Sequence, residues 1–498
     1  MGAKNFVAFD LGAESGRAVL GELDEGKLTL SEKHRFANPT SRVNGHLHWN
    51  ILAQWEELKT GLRKAAGATA DSRGRKLDGI GVDTWGVDYG LIARGGELIG
   101  NPYHYRDRRT DGMMDRAFAK VPREKIFEAT GLQFMQINTL FQLMAAAQQE
   151  PEILQAAEKM LFVPDLFNYF FSGVARNEFS IVSTSQMFNP VRKDWAGDLL
   201  EQLGLPTHLL CEIVPCGTKL GTLRPDVAEE CSVAADTPLI APATHDTASA
   251  VAAVPAQPDT SWCFISSGTW SLMGVELDHP VINDKSLKYN YTNEGGVGGS
   301  TRFLKNIMGL WLVQECRRHW IREGHDHSYA ELTEMAARAK GLLALLDLDY
   351  APLALPGNMP QKIAQFCRQT NQTIPQTRGE YVRACLDGLA LTYRRSLKGL
   401  EDVLGRRIDV IHIVGGGVQN GLLNQMTADA CNRPVVAGPI EATAIGNILV
   451  QAMATGDVRT IADARQIVSQ SFDVKRYEPT DTAAWDRADA KFRELRKV

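Results

Sequence analysis

Residues 5–24, NFVAFDLGAESGRAVLGELD, decide the fold. An apolar run ends at Asp10, a turn of small and polar residues follows, and a second apolar run begins after Arg17. The glycines offer a superficial match to a dinucleotide or P-loop turn, but those motifs need a helix next, and the P-loop also needs Gly-Lys-Ser/Thr. Here RAVLGEL, the turn DEGK and KLTL read as a β-meander, so neither motif fits. The same plan returns at residues 261–278, SWCFISSGTWSLMGVELD: strand, small polar turn, strand, and again Glu-Leu-Asp.

A chain that opens each half with the same hairpin is built twice. At 498 residues it is too long for one ordinary core, so two domains are expected, 1–248 and 249–498, divided just before the Pro-containing stretch VPAQPDTS. Two sheets presenting such hairpin turns to one another across a cleft describe the actin-like ATPase architecture, an α/β fold. Helical patterns are expected at 122–130, 140–161, 196–203, 302–320 and 380–405. A strand DVIHIVGGG then leads into a helix starting near Gln419 or Asn420, and the tail from 483 onward reads as a charged amphipathic helix.

Composition removes several classes. With 54 basic and 59 acidic residues, a net charge of -5 and no long basic run, nothing suggests a nucleic-acid partner. No apolar stretch approaches the length that spans a bilayer, and the first residues carry neither a signal-peptide core nor a myristoylation pattern. A cytoplasmic enzyme without membrane attachment is the expected class. The eight cysteines are scattered singly, without zinc spacing, and are expected to be reduced packing residues.

Four stretches carry chemistry. In DLGAESGR, backbone amides can cradle phosphate, Ser15 and Arg17 can add a hydroxyl and a charge, and Asp10 can hold a hydrated Mg²⁺. An ordinary hairpin turn is the plain structural reading, and the echo SSGTW (266–270) weighs against it. Glu14 is expected to point away from phosphate, since like charges repel. Three glycines, 415–417, exceed what a strand-to-helix turn needs and suit a flat ligand such as adenosine over Gly416. DTWGVDYG places Asp83 and Asp88 beside an indole, with Gly86 open to a sugar, or else it is a strand-turn-strand with a core Trp85. Of the charge run YHYRDRRT only Arg106 and Asp107 are of interest, and GHDHSY reads as a surface loop rather than a metal site. Finally, APATHDTASAV (241–251) rings His245 and Asp246 with small residues. That leaves room for a substrate hydroxyl beside a carboxylate held at a helix start, with His245, Asp246 or Thr247 as the cap.

FDLGAESGR, DTWGVD, YRDRRT, THDTASAV, SSGTWSLMG, TNEGG, KNIMGLW, VGGGVQN and GPIEATAIGN follow one another in this order, and together the chain resembles the rhamnulokinase branch of the FGGY carbohydrate kinases from near residue 5 to beyond 450. The resemblance implies two ribonuclease-H-like domains around a cleft, with hinge closure, and transfer of the γ-phosphoryl of MgATP to the 1-hydroxyl of L-rhamnulose, by a monomer or homodimer. It implies Asp246 as catalytic base, sugar contacts at Gly86, His245, Asp246, Thr247 and Asn306, and ATP contacts at Ala13, Glu14, Ser15, Gly16, Arg17, Thr269, Gln314 and Gly416. Asp10 would hold Mg²⁺ through water. Asn306 and Gln314 are expected on one helix, about 12 Å apart along its axis. A kinase for another ketose or polyol, or an actin-like switch that phosphorylates nothing, are the alternatives.

Overall fold

The two apolar runs of residues 5–24 form antiparallel strands, Lys4–Leu11 and Ser15–Asp24, in the computed structural model, which describes residues 2–69, 77–257 and 260–495. Part of VPAQPDTS and the last three residues of the tail lie outside the described residues. The chain divides into two units. One comprises Met1–Pro255, Glu276–Phe303 and Ala442–Ser471, the other Ala256–Val275, Leu304–Glu441 and Phe472–Val498. Two segments from the second half of the sequence thus pack with the first unit.

The first unit is built on a six-stranded sheet in the order Thr218–Thr222, Pro238–Ala241, Gly79–Thr84, Lys4–Leu11, Ser15–Asp24, Lys27–Ala37. The meander supplies one edge, while Lys4–Leu11 and Pro238–Ala241 each run parallel to Gly79–Thr84. Alternation sends successive side chains to opposite faces. Val7, Phe9 and Leu11 face the core that holds Leu58, Leu62 and Ala65 of the helix Ile51–Ala68 and Leu166, Phe167 and Phe171 of the helix Val163–Ser172. Each such side chain, fully buried, contributes roughly 1.5–3 kcal/mol.

The opposite face receives the helix Ala442–Thr455. Gln451 Nε2 donates to Val7 O (3.0 Å) and to Asn447 Oδ1 (2.7 Å), and Asn447 Nδ2 donates to Asp83 Oδ2 (2.6 Å). Gly79 and Gly81 make room for this pair of amides, since a Cβ on either would lie 2.7–2.8 Å from their side-chain atoms. The same helix meets Asp246–Ala252 at backbone distance, for a Cβ on Gly446 would fall 1.8 Å from Ser249 O. A second core of this unit gathers Phe127, Leu140, Phe141, Met144, Met160 and Phe162 around the antiparallel pair Tyr89–Ala93 and Ala157–Phe162.

The second unit repeats the plan. Trp262–Ser267 pairs antiparallel with Trp270–Leu277 and parallel with Val410–Val414, as Lys4–Leu11 does with its two neighbours. Within this sheet the order runs Thr301–Met308, Trp270–Leu277, Trp262–Ser267, Val410–Val414, Val435–Ala437, Lys475–Tyr477. The long helix Arg378–Leu404 starts in a capping box of Thr377 and Glu380 and stops at Gly405 in the left-handed region. Thr482–Leu495 forms the tail helix.

Three expectations are corrected. Residues 302–320 are not one helix: Thr301–Met308 is a strand and the helix is Trp311–Arg322, so Asn306 and Gln314 sit on different elements. The break is set at Gly309, where a Cβ would lie 2.6–2.7 Å from Ser271 Oγ and Gly268 O, and where Gly309 N and Leu310 N donate to Thr269 O and Gly268 O. Short apolar runs of this kind fit either period, and sheet pairing decides. Likewise the helix expected at 140–161 is two, Thr139–Gln149 and Pro151–Ala156, and stops there because Ala157–Phe162 is drawn into pairing with Tyr89–Ala93. After the three glycines a 3-10 turn fills 416–419, and the helix begins at Gly421 with Asn420 as its cap.

Candidate active site

Parallel pairing places three carboxylates at neighbouring strand ends in the first unit. Asp10 is in register with Asp83, and Thr84 bridges to His245, next to Asp246. The carboxyl ends of parallel strands are where open α/β sheets bind ligands. Asp10 Oδ2 accepts from Arg17 Nε (3.0 Å) and Nη2 (2.6 Å), so part of the guanidinium that phosphate would attract orients this carboxylate. Asp83 is fully buried. Asn447 satisfies its Oδ2, while its Oδ1 has no partner among the described residues. Burial, and then the Asp10 charge, push its carboxyl well above the usual range.

Asp246 is the first residue of the helix Asp246–Ala252, with His245 as the cap. Its Oδ1 accepts from Thr247 N (2.5 Å) and Thr247 Oγ1 (3.1 Å) and lies 3.4 Å from His245 Nε2, whereas Oδ2 takes no protein donor among the described residues. The side chain is 31% exposed, so solvent and small molecules reach it. Dense surroundings, then the Asp10 charge, nevertheless push its pKa up to about 7.

The segment before it is pinned by a residue that sequence reasoning missed. Glu178, 0% exposed, accepts from Thr244 N (3.1 Å), Thr244 Oγ1 (2.7 Å), Ser180 N (2.8 Å), Ser180 Oγ (2.5 Å), Ile181 N (3.3 Å) and Cys216 Sγ (2.8 Å). Ser180 Oγ in turn accepts from His245 N (3.1 Å). Its signal in the sequence was a single acid inside VARNEFSIV.

At Gly86–Asp88 the chain makes a tight γ-turn: Asp88 N donates to Gly86 O (2.9 Å) and Val87 takes φ +68°. A β-branched residue there is strained. Thr184 Oγ1 accepts from Val87 N (3.2 Å), and Thr139 Oγ1 donates to Val87 O (2.6 Å), holding it in place. Asp88 is consumed by the fold. It accepts from Trp49 Nε1, Trp85 Nε1, Tyr105 N and Gln142 Nε2 at 2.6–3.1 Å, and burial raises its pKa to about 6. Asp107 accepts from Leu47 N and Arg109 N and pairs with His46, so it too shapes the wall. Arg106 lies over the Tyr105 ring.

The turn between the first two strands is closed by Gly12 N to Ser15 O (2.9 Å) and braced by Asn38 Nδ2 to Gly12 O (2.9 Å). Gly16 is required there because a Cβ would lie 2.3 Å from the Phe36 ring; Ala13 and Ser15 are half-buried and Glu14 is exposed. In the second unit the turn holding Thr269 docks the start of the helix Trp311–Arg322, which carries Gln314. Gln314 Oε1 is buried without a partner among the described residues.

The three glycines divide by cause. Gly415 has φ +85°, and a Cβ on Gly417 would lie 2.0 Å from Ser267 Oγ, so packing demands both. Gly416 meets nothing within 4 Å. Its missing side chain leaves open surface, which suits a flat ligand and is not needed by the fold. We therefore expect Gly416→Val to raise the KM for ATP on the order of tenfold, about 1.4 kcal/mol, while the melting temperature moves by no more than about 2 °C. Steady-state kinetics and a thermal melt check this together.

The donors are hard oxygens, the chemistry Mg²⁺ favours. Among the described residues no group of three or more His, Cys, Asp or Glu could hold a metal ion by itself. GHDHSY forms the connection after Trp311–Arg322, where His327 O accepts from Arg317 Nε. All eight cysteines are free, and no helix among the described residues is long and apolar enough to cross a membrane.

Residues 5–253 match the N-terminal domain, and residues 263–455 the C-terminal domain, of the FGGY family of carbohydrate kinases. The chain is 44% identical over 490 residues to a rhamnulokinase of Bacteroides thetaiotaomicron, covering 98% of this chain and 99% of that one. It is 39% identical over 476 residues to a rhamnulokinase of Bacillus subtilis, covering 96% of each. Among solved structures it is similar in fold to a gluconate kinase from Lactobacillus acidophilus (TM-score 0.82, 15% identity, 100% and 98% of the two chains). It is also similar to a Plasmodium falciparum glycerol kinase with ADP (TM-score 0.78, 14% identity, 99% and 98%).

Proposed function

Because the chain belongs to the FGGY family of carbohydrate kinases, we propose that it transfers the γ-phosphoryl group of ATP to the 1-hydroxyl of L-rhamnulose, giving L-rhamnulose 1-phosphate and ADP. Relatives named rhamnulokinase, matching over nearly the whole chain, support the sugar. The observation that carries the reading is the state of Asp246: one oxygen is held by Thr247 while the other faces no protein donor among the described residues.

Phosphoryl transfer through a loose transition state asks for in-line positioning and charge neutralisation more than for covalent help. Gly86, the segment His245 to Thr247, and Asn306 would hold the sugar. Asp246 Oδ2 would accept the hydroxyl proton as oxygen bonds to phosphorus and the bond to the ADP oxygen breaks. Phosphates would lie on the turn Ala13 to Arg17, where Gly12 and Ala13 carry little side chain to keep a ligand from the backbone, and Thr269, Gln314 and Gly416 would take the rest of the nucleotide. Asp10, oriented by Arg17, would hold a hydrated Mg²⁺ together with the phosphates, and the ion supplies charge neutralisation when bound. The eight free thiols are in keeping with a reducing, cytoplasmic setting.

The test is ADP release with MgATP across L-rhamnulose, L-fuculose, L-xylulose, D-xylulose and glycerol. Preference for L-rhamnulose with phosphate at C1 supports the proposal; better turnover of another acceptor keeps the kinase and replaces the substrate. Release without any acceptor dependence would point to a nucleotide switch. The same assay reads pH. A base whose pKa lies near 7 rather than 3.8 is lost by protonation as pH falls, so kcat/KM for the sugar should drop tenfold per pH unit below about 7 and level off above it. The stability sign is opposite. The folded state holds this proton where the unfolded chain has lost it, so this group's contribution is full at low pH and disappears as pH rises through about 7. A flat rate profile from pH 5.5 to 8 would remove Asp246 from the role of base.

A further inference from the structure

The segment TNEGG and the arginine that follows it have no part in the mechanism above, yet both turn toward its base. Arg302 is 0% exposed and Glu294 4%. Arg302 Nε donates to Gly295 O (2.7 Å), fixing the guanidinium plane, and Nη2 lies 3.0 Å from His245 Nδ1 and 3.3 Å from Glu294 Oε2. Glu294 Oε2 stands 3.4 Å from the same ring nitrogen. A guanidinium has donors only, so at 3.0 Å His245 Nδ1 must be the acceptor. The ring proton then belongs on Nε2, which is the nitrogen 3.4 Å from Asp246 Oδ1.

We propose that Arg302, held in place by Gly295 and Glu294, fixes His245 as the Nε2–H tautomer, so that the imidazole donates toward Asp246 Oδ1 and turns Oδ2 of the base toward the substrate hydroxyl. Arg302 and Glu294 are positioning residues, and His245 is the relay. The inference rests on Asp246 being the base of the proposed kinase. Thr247 alone grips Oδ1 from its own side of the carboxylate; a second donor from His245 defines the plane of the group, as buried orienting partners do for catalytic side chains elsewhere. The charged and titratable groups around His245 are Asp246, Glu294 and Arg302 directly, with Glu178 reaching its segment through Thr244 and Ser180. Burial first, then the Arg302 charge, hold the His245 ring neutral, which the Nε2–H form requires.

The test uses the full-length protein labelled with ¹⁵N-histidine, His245 being identified by the signals lost in His245→Gln. The expected spectrum at neutral pH shows Nδ1 as a bare ring nitrogen and Nε2 as a protonated one. In Arg302→Met the two forms should mix, kcat should fall on the order of 10²-fold, the cost of a misplaced catalytic group, and the sugar KM should change less than about threefold. Arg302→Lys, which keeps a donor and a charge, should recover part of the loss and serves where the methionine variant does not fold. In a His245→Ala background, Arg302→Met should cost less than about threefold more, because its route to the base is already gone. A protonated Nδ1 in the wild-type protein, or an undiminished Arg302→Met loss in that background, overturns the proposal. A folded protein with Nε2-protonated His245 that phosphorylates no sugar would instead overturn the assigned function and leave the tautomer standing.

Discussion

Asp246→Asn lowers kcat with L-rhamnulose on the order of 10³-fold, within the range a general base contributes, while sugar binding measured by calorimetry changes less than about threefold. The substitution is nearly isosteric. Thr247 N and Thr247 Oγ1 can still donate to the remaining oxygen that replaces Oδ1, so the helix start and the sugar pocket keep their shape. What disappears is the capacity to take a proton at Oδ2. A loss confined to kcat is the signature of an interaction made only in the transition state. An Asn variant with unchanged turnover would show that the hydroxyl proton leaves by another route.

Glu178→Gln destabilises the first unit by about 2–4 kcal/mol, the cost of leaving buried donors without an acceptor, and lowers its melting transition by roughly 5–15 °C. The reason is arithmetic of donors and acceptors. Six donors converge on the two carboxylate oxygens. An amide offers one oxygen, and its NH₂ must face donors where it needs acceptors. The amide oxygen is best kept on the Oε2 side, which serves Thr244, Ser180 Oγ and Ile181 N, so the NH₂ opposes Ser180 N and Cys216 Sγ; Ser180 Oγ holds His245 N, so activity falls even at temperatures where the variant remains folded. A melt followed by residual kcat separates the two effects. An unaltered transition would mean that the amide side is rescued by rearrangement, and that Glu178 does not fix the segment.

What could be read from the sequence, and what could not, follows from range. The hairpin at 5–24 and its echo are local patterns, and the strands form where the alternation puts them. APATHDTASAV and the glycines at 415–417 were equally local, and the structure refines the latter by showing two glycines used for packing and one left open. Residues 302–308 misled because seven residues fit both periods, and pairing with a sheet was the deciding interaction. Glu178 and Thr244 are 66 residues apart, Arg302 and His245 57, and Asn447 and Asp83 364. No window along the chain contains both members of such a pair. The one trace left in the sequence was chemical: Asn447 and Gln451, two amides one turn apart on the otherwise apolar helix ATAIGNILVQAMAT, were placed to meet buried polar groups.

That helix bears on how the protein is made. The ribosome delivers the first 255 residues long before Ala442–Thr455, yet that late segment brings Asn447 to Asp83, Asn447 and Gln451 to the glycines at 79 and 81, and Gly446 to the backbone at Ser249. During synthesis the sheet therefore emerges before Asn447 and Gln451 can pair with Asp83 and Val7 O, and closure waits for contacts of very high sequence separation, the slowest kind to form. The candidate site is thereby assembled late: Asn447 reaches Asp83, in register with Asp10, only after that helix has been made.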